Sequence, residues 1–263
     1  MSSPPPDALS RILRQGQARH RLPSVSAAAY RAGEVVWTEA RYRIGSITKT
    51  FTAAAIMLLR EEARLQLDDP LERHLSVGAH GSLSLRRLLA HSSSASLRAR
   101  CGRRSSFPAG TSCGLGSTPP SSSYRRARTF TTRSSARWSH GVSGVPFTQF
   151  VDERLIGPLG LERTTWQPVE PAATGYYVDP YARTLRREPD LEGDGTAAVG
   201  GLWSTPSDLC RWAHHLASLE ALHQLQVMED AEGWTLGRGL GLQLIRQGDR
   251  VCCGSCATKP AAR

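Results

Sequence analysis

Lysine is nearly absent: the 263 residues contain two, Lys49 and Lys259, so the formal charge of +10 is carried almost wholly by arginine. No apolar run is long enough to cross a membrane, and Met1–Asp7 is polar and Pro-rich where a signal peptide would be apolar. No membrane partner is therefore expected, and the chain reads as cytoplasmic. It has no internal repeat, which excludes a solenoid or propeller. Cysteine is scarce outside two unusual stretches: of six, only Cys210 lies apart from Cys101, Cys113, Cys252, Cys253 and Cys256. Cys252-Cys253-Gly254-Ser255-Cys256 has no second Cys/His cluster at ligand spacing, so no metal site and no cofactor are expected. Cys210, on a predicted helix, is read as a small buried apolar residue.

Acidic residues and lysine are missing altogether from residues 94–141, where nine arginines and twelve serines stand among 48 positions with no helical or strand period. By composition alone this is a disordered basic arm. It carries +9 of the chain's +10, and with the +2 of residues 251–263 also set aside the remainder is within one charge of neutral. The basicity is thus local, and nucleic acid is not the expected partner of the body. At 40% apolar residues, that body can bury one sizeable core or a core with an inserted helical lobe.

The coarse pattern is mixed. Ser24–Ala29 and Glu34–Glu39 read as strands joined through Arg31-Ala32-Gly33. Thr205, Pro206 and Asp208 supply a cap, a first-turn proline and a first-turn acid for a helix through Leu209, Trp212, Ala213 and Leu216. Leu240–Arg246 reads as a strand, with Gln247-Gly248-Asp249 turning into another that begins at Arg250-Val251. From Ile47 to Leu65, Phe51, Ala54, Ala55, Leu58 and Leu59 recur at helical steps, predicting a buried helix.

Ser46-Ile47-Thr48-Lys49 opens that helix and places a hydroxyl and an amine one turn apart on one face. Backbone N–H groups and the positive end of the dipole at a helix entrance favour a developing oxyanion there. A lysine in a dry pocket loses its proton near neutral pH and can take the serine proton. Serine is abundant, so the spacing alone does not separate this reading from a structural one.

The surroundings do more. Tyr42-Arg43-Ile44-Gly45-Ser46-Ile47-Thr48-Lys49-Thr50-Phe51-Thr52-Ala53, followed by Leu65–Pro70, resembles the serine beta-lactamase and penicillin-binding-protein family, in its class C-like esterase and peptidase branch. Leu85–Ser93, Val142–Phe147, Pro158–Leu161 and Gly200–Leu209 resemble further stretches of it, so the likeness spans roughly residues 21–93 and 142–250. The resemblance implies an α/β fold, an antiparallel sheet flanked by helices with a helical lobe, here incomplete. It divides the chain into a flexible N-terminus (1–20), a beta-lactamase-like domain (21–250) interrupted by the 94–141 segment, and a divergent tail (251–263). It implies Ser46 as nucleophile, Lys49 as its base, the Ser46 backbone N–H as an oxyanion donor, and a small ester, lactam or peptide-like amide as substrate. A cell-wall substrate would be out of reach of a cytoplasmic chain. Oligomeric state is silent.

The family's Tyr-Xaa-Asn motif belongs inside 94–141, and its Lys-Thr-Gly or His-Xaa-Gly motif belongs after Val251; neither is found there. Tyr124 is followed two positions later by Arg126 instead of Asn. Trp203 and Gly200-Gly201 read as turn and packing residues, His91 as a structural residue after a helix, and His140 as incidental. Two readings stand: a serine hydrolase of impaired turnover, or an inactive remnant that binds a ligand or, through its arginines, nucleic acid in a salt-sensitive way. Arg, Ser, Pro, Gly and Ala are what a GC-rich gene yields out of frame, and shifting the codons of Tyr124–Gly141 by one base permits a Pro-Pro-Gly turn and a Tyr-Ser that run into Val142. Two compensating frameshifts, near residues 94 and 141, are expected; an alternative frame of the gene without the family pattern there sinks the idea.

Overall fold

The computed structural model describes residues 6–20, 22, 24–31, 34–38, 42–74, 81–92, 141–178, 184–187, 194–229 and 233–254. Nearly all of the arginine-rich segment, with Tyr124 and His140, lies outside them, as do Cys101, Cys113, Cys256 and Lys259. The chain forms two units.

The first unit takes residues up to Ala55 and from Thr148 to Glu220. It opens with α1 (Pro6–His20), in which Leu9, Leu13 and Gly16 fall on one half-buried face, with Asp7 in the first turn and Arg19 in the last. β1 (Ala28–Arg31) and β2 (Glu34–Thr38) form the expected hairpin, pairing Arg31 with Glu34 and Ala28 with Thr38, though β1 begins later than Ser24. β3 (Tyr42–Arg43) leads into a 3-10 turn (Gly45–Ile47) and then α2 (Thr48–Glu61). Farther along come α4 (Phe147–Val151), which continues as a π-helical turn (Asp152–Ile156), and the hairpin of β4 (Tyr176–Val178) with β5 (Leu185–Arg187).

Three elements of this unit frame the start of α2: α5 (Asp194–Gly200), β6 (Trp203–Ser204), which pairs antiparallel with β3, and α6 (Pro206–Ser218). The entrance of α6 is as the sequence predicts. Thr205 caps it by accepting from the Asp208 N–H at 3.4 Å, and Pro206 stands at the first position. Buried Asp208 also accepts from the Arg163 N–H and the Thr164 hydroxyl, both at 2.9 Å, tying α6 to the chain after α4. On α6, Trp212 stacks on Phe51 of α2 at 3.8 Å between ring centroids.

The second unit comprises Ile56–Phe147 and Ala221–Ser255. It contains α3 (Leu85–Leu89), the short α7 (Glu220–His223), most of which belongs here, and an antiparallel sheet of β7 (Val227–Met228), β8 (Leu236–Arg238), β9 (Gln243–Gln247) and β10 (Arg250–Gly254) in the order β10-β9-β8-β7. The β9–β10 hairpin turns at Gly248, φ +60°, where the sequence places it. The start of the tail is therefore an edge strand. Leu59, Leu71, Leu222, Leu240, Leu242 and Leu244 are buried in this unit. Asp69 accepts from the Gln66 N–H at 2.8 Å, His74 at 2.9 Å and Arg73 at 2.7 Å, and these bonds hold its carboxyl below the usual range. Among the described residues, all strand pairings are antiparallel in a mixed α/β structure, in agreement with the class expected.

Helix α2 stops at Glu61, four residues before the predicted Leu65, because Ala63 adopts φ +57°. The Arg64 N–H bonds to Leu59 O and the Ala63 N–H to Arg60 O, both at 3.0 Å, a Schellman closure with alanine where glycine is favoured. Ala63→Gly is expected to raise stability by about 0.5–1 kcal/mol, read as a higher midpoint in thermal unfolding.

Candidate active site

The turn that carries Ser46 is fixed from both sides. Before it, the buried Ile44 donates its N–H to Leu202 O at 3.0 Å, extending the β3–β6 pairing by one bond. Gly45 follows at φ +50°, a left-handed conformation that suits glycine and lets the chain swing straight into the 3-10 turn. Ser46 is half-buried on that turn, and Lys49 lies one turn along, also half-buried.

The structure brings the two predicted residues together. Lys49 Nζ lies 2.7 Å from Ser46 Oγ and donates at 3.0 Å to the carbonyl of Val199. The second partner was not foreseen. Val199 belongs to the last turn of α5, whose final carbonyls have no partner within their own helix. Three of them find one nearby: Ala197 O accepts from the Gly201 N–H at 3.2 Å, Ala198 O from the Thr52 hydroxyl at 2.7 Å, and Val199 O from Lys49.

Three threonines on α2 complete the join. Thr48 Oγ1 is reached by the Leu202 N–H at 3.4 Å, Thr52 holds Ala198, and the Thr50 hydroxyl donates to Ile47 O at 2.7 Å while accepting from Trp212 Nε1 at 2.8 Å. All three are buried. Their signal was present in the sequence, since three hydroxyls at two-residue steps on an otherwise apolar helix leave polar groups that must be satisfied inside. Gly200 and Gly201, read as turn and packing residues, pack closely: a Cβ at Gly200 would sit 3.6 Å from the Gly45 backbone, and one at Gly201 only 2.8 Å from Ala197 Cα.

Other readings meet mixed outcomes. Trp203 packs its ring against the Arg43 guanidinium, 5.6 Å from the ring centroid. His91 follows α3, exposed and at φ +53°. Cys210 is half-buried where a buried residue was expected, because it flanks the inward stripe of Asp208, Trp212 and Leu216; its partial burial still pushes the thiol pKa up.

A model of the family described as Beta-lactamase matches residues 9–106 and 134–249, well over half of the sequence. The chain belongs to the beta-lactamase family. The match reaches further into the arginine-rich segment from both sides than the motif blocks do, leaving 107–133 unmatched. Among curated beta-lactamase relatives, the D-alanyl-D-alanine-carboxypeptidase/endopeptidase AmpH of Escherichia coli (strain K12) is 26% identical over 195 residues. These are 67% of this chain and 49% of that protein, so the chain spans about half the length of this relative. Among solved structures, the octameric penicillin-binding protein homologue from Pyrococcus abyssi superposes with a TM-score of 0.67 at 23% identity, covering 90% of this chain and 64% of that one. A D-stereospecific amidohydrolase from Streptomyces sp. gives 0.63 at 24% identity, covering 85% and 78%. At these identities the likeness is one of fold. Among the described residues, no helix is long and apolar enough to cross a membrane.

The two glycines offer a direct check on the packing at the site. Gly201→Ala forces backbone on backbone and is expected to cost about 1–3 kcal/mol, whereas Gly200→Ala makes an ordinary contact and is expected to cost less than about 1 kcal/mol. Chemical denaturation of the two variants beside the wild type measures the difference.

Proposed function

We propose that this chain is a serine hydrolase that forms an acyl-enzyme on Ser46, with Lys49 as the base, on an ester, lactam or peptide-like amide. The observation that carries this reading is the 2.7 Å approach of Lys49 Nζ to Ser46 Oγ, within reach for direct proton transfer. Ser46 Oγ attacks the carbonyl carbon as its proton passes to the neutral Lys49 amine. Lys49 then returns that proton to the departing amine or alkoxide, and water hydrolyses the ester left on Ser46. The backbone N–H of Ser46, in the first turn, is the proposed oxyanion donor. The names of the relatives, a carboxypeptidase/endopeptidase and an amidohydrolase, support amide bonds as the substrate class, with D-configured residues among them.

Turnover is expected to be slow. The 263 residues contain no asparagine, so residues 94–141, where the resemblance places a Tyr-Xaa-Asn, supply none. Such a group commonly contributes about 100-fold or more. This observation also favours the second reading, a ligand-binding remnant without chemistry.

Mass spectrometry of the intact protein after exposure to a fluorophosphonate or a penicillin separates the two. The hydrolase reading expects an adduct on wild type, none on Ser46→Ala, and labelling slowed about 100-fold or more in Lys49→Ala. A folded wild type that takes no label leaves the remnant.

A further inference from the structure

Thr52 touches neither Ser46 nor any group proposed to react, yet its hydroxyl makes a short bond across to the segment that holds Lys49. A threonine inside a helix ordinarily returns its hydroxyl to the carbonyl four residues back. Here that carbonyl, of Thr48, is 3.4 Å away, while Ala198 O on α5 is at 2.7 Å. The Ala198 and Val199 carbonyls belong to successive peptide units joined at the Val199 Cα, so within the helical backbone fixing the first limits how far the second can swing.

The position of Val199 O matters for a reason of valence. A neutral amine has two N–H donors and one lone pair. With one N–H directed to Val199 O at 3.0 Å, the amine is turned so that its lone pair can face the serine hydroxyl 2.7 Å away. If that carbonyl moved off, the amine end of a four-carbon side chain would lose one of the bonds that orient it. The segment after Val199 is held at Leu202, by Ile44 and Thr48, and at Gly201, by Ala197 O. The bond from Thr52, itself nearly fully buried, reaches the carbonyl next to that of Val199.

We infer that Thr52 is a positioning residue for acylation: through Ala198 it fixes the Val199 carbonyl, and through that carbonyl the Lys49 amine that faces Ser46. This rests on the serine-nucleophile reading above. It adds a residue outside the Ser-Xaa-Xaa-Lys motif, three positions beyond the lysine.

The test is the rate of Ser46 labelling by a fluorophosphonate, followed by intact mass, in four full-length proteins of verified fold: wild type, Thr52→Val, Thr52→Ser and Thr164→Val. Thr52→Val keeps the shape and removes the donor; Thr52→Ser restores it. Thr164→Val removes a buried hydroxyl of the same unit, one bonded to Ser204 and Asp208, away from the pair. Labelling is expected to fall about ten-fold or more in Thr52→Val, to return to within about two-fold of wild type in Thr52→Ser, and to be unchanged in Thr164→Val. Should Thr52→Val not fold, Thr52→Cys, with its weaker donor, takes its place with the same expectation of slowing. Equal rates for wild type and the Val or Cys variant overturn the inference alone, as does a Ser variant as slow as either. An unlabelled wild type overturns the nucleophile reading and this inference with it.

Discussion

One amine held between a hydroxyl and a peptide carbonyl is the constraint on which the site depends. Lys49 Nζ meets Ser46 Oγ on the 3-10 turn that leads into its own helix and Val199 O on another helix, so the start of α2 and the end of α5 must stay in register for the pair to face correctly. Most of the surrounding detail serves that register. The β3–β6 pairing brings in the chain on either side, Gly45 and Gly200 lie backbone to backbone, and the buried threonines convert orphan backbone groups at the junction into bonds. An α-helix normally leaves its terminal carbonyls to water or a cap. In α5 the neighbouring helix is the cap.

The packing behind this junction is aromatic. Trp212 stacks on Phe51 and donates its indole N–H to Thr50, whose hydroxyl in turn holds Ile47 O in the turn that carries the serine. A large apolar surface and a single polar tip thereby act on the same short stretch of backbone. Asp208, at the entrance of α6, ties that helix to Arg163 and Thr164.

What could be read in advance was whatever the sequence states locally. The Thr205-Pro206-Asp208 entrance, the turn at Gly248 and the Ser46/Lys49 spacing are each written within a few residues, and each stands as expected; the first hairpin forms too, with its first strand moved from Ser24–Ala29 to Ala28–Arg31. In the stretch 6–20 a proline-rich start and scattered arginines mask Leu9 and Leu13 at helical spacing. The end of α2 was misread because alanine, the best helix former, occupies the left-handed closing position. The partners from residues 198–202 were out of reach of any local pattern: a backbone carbonyl has no letter in the sequence, and those carbonyls lie about 150 positions from the side chains they receive. Cys210 showed the limit of residue-type averages, since its burial is set by which side of α6 faces inward.

Ser46 and Lys49 stand three residues apart across the step from the 3-10 turn into α2, so local backbone geometry keeps the hydroxyl and the amine close. The Val199 carbonyl has no such guarantee, since it lies 150 positions from the lysine that it receives. A change that shifts α5 would therefore be felt first in the orientation of the amine and only later in its distance from the hydroxyl.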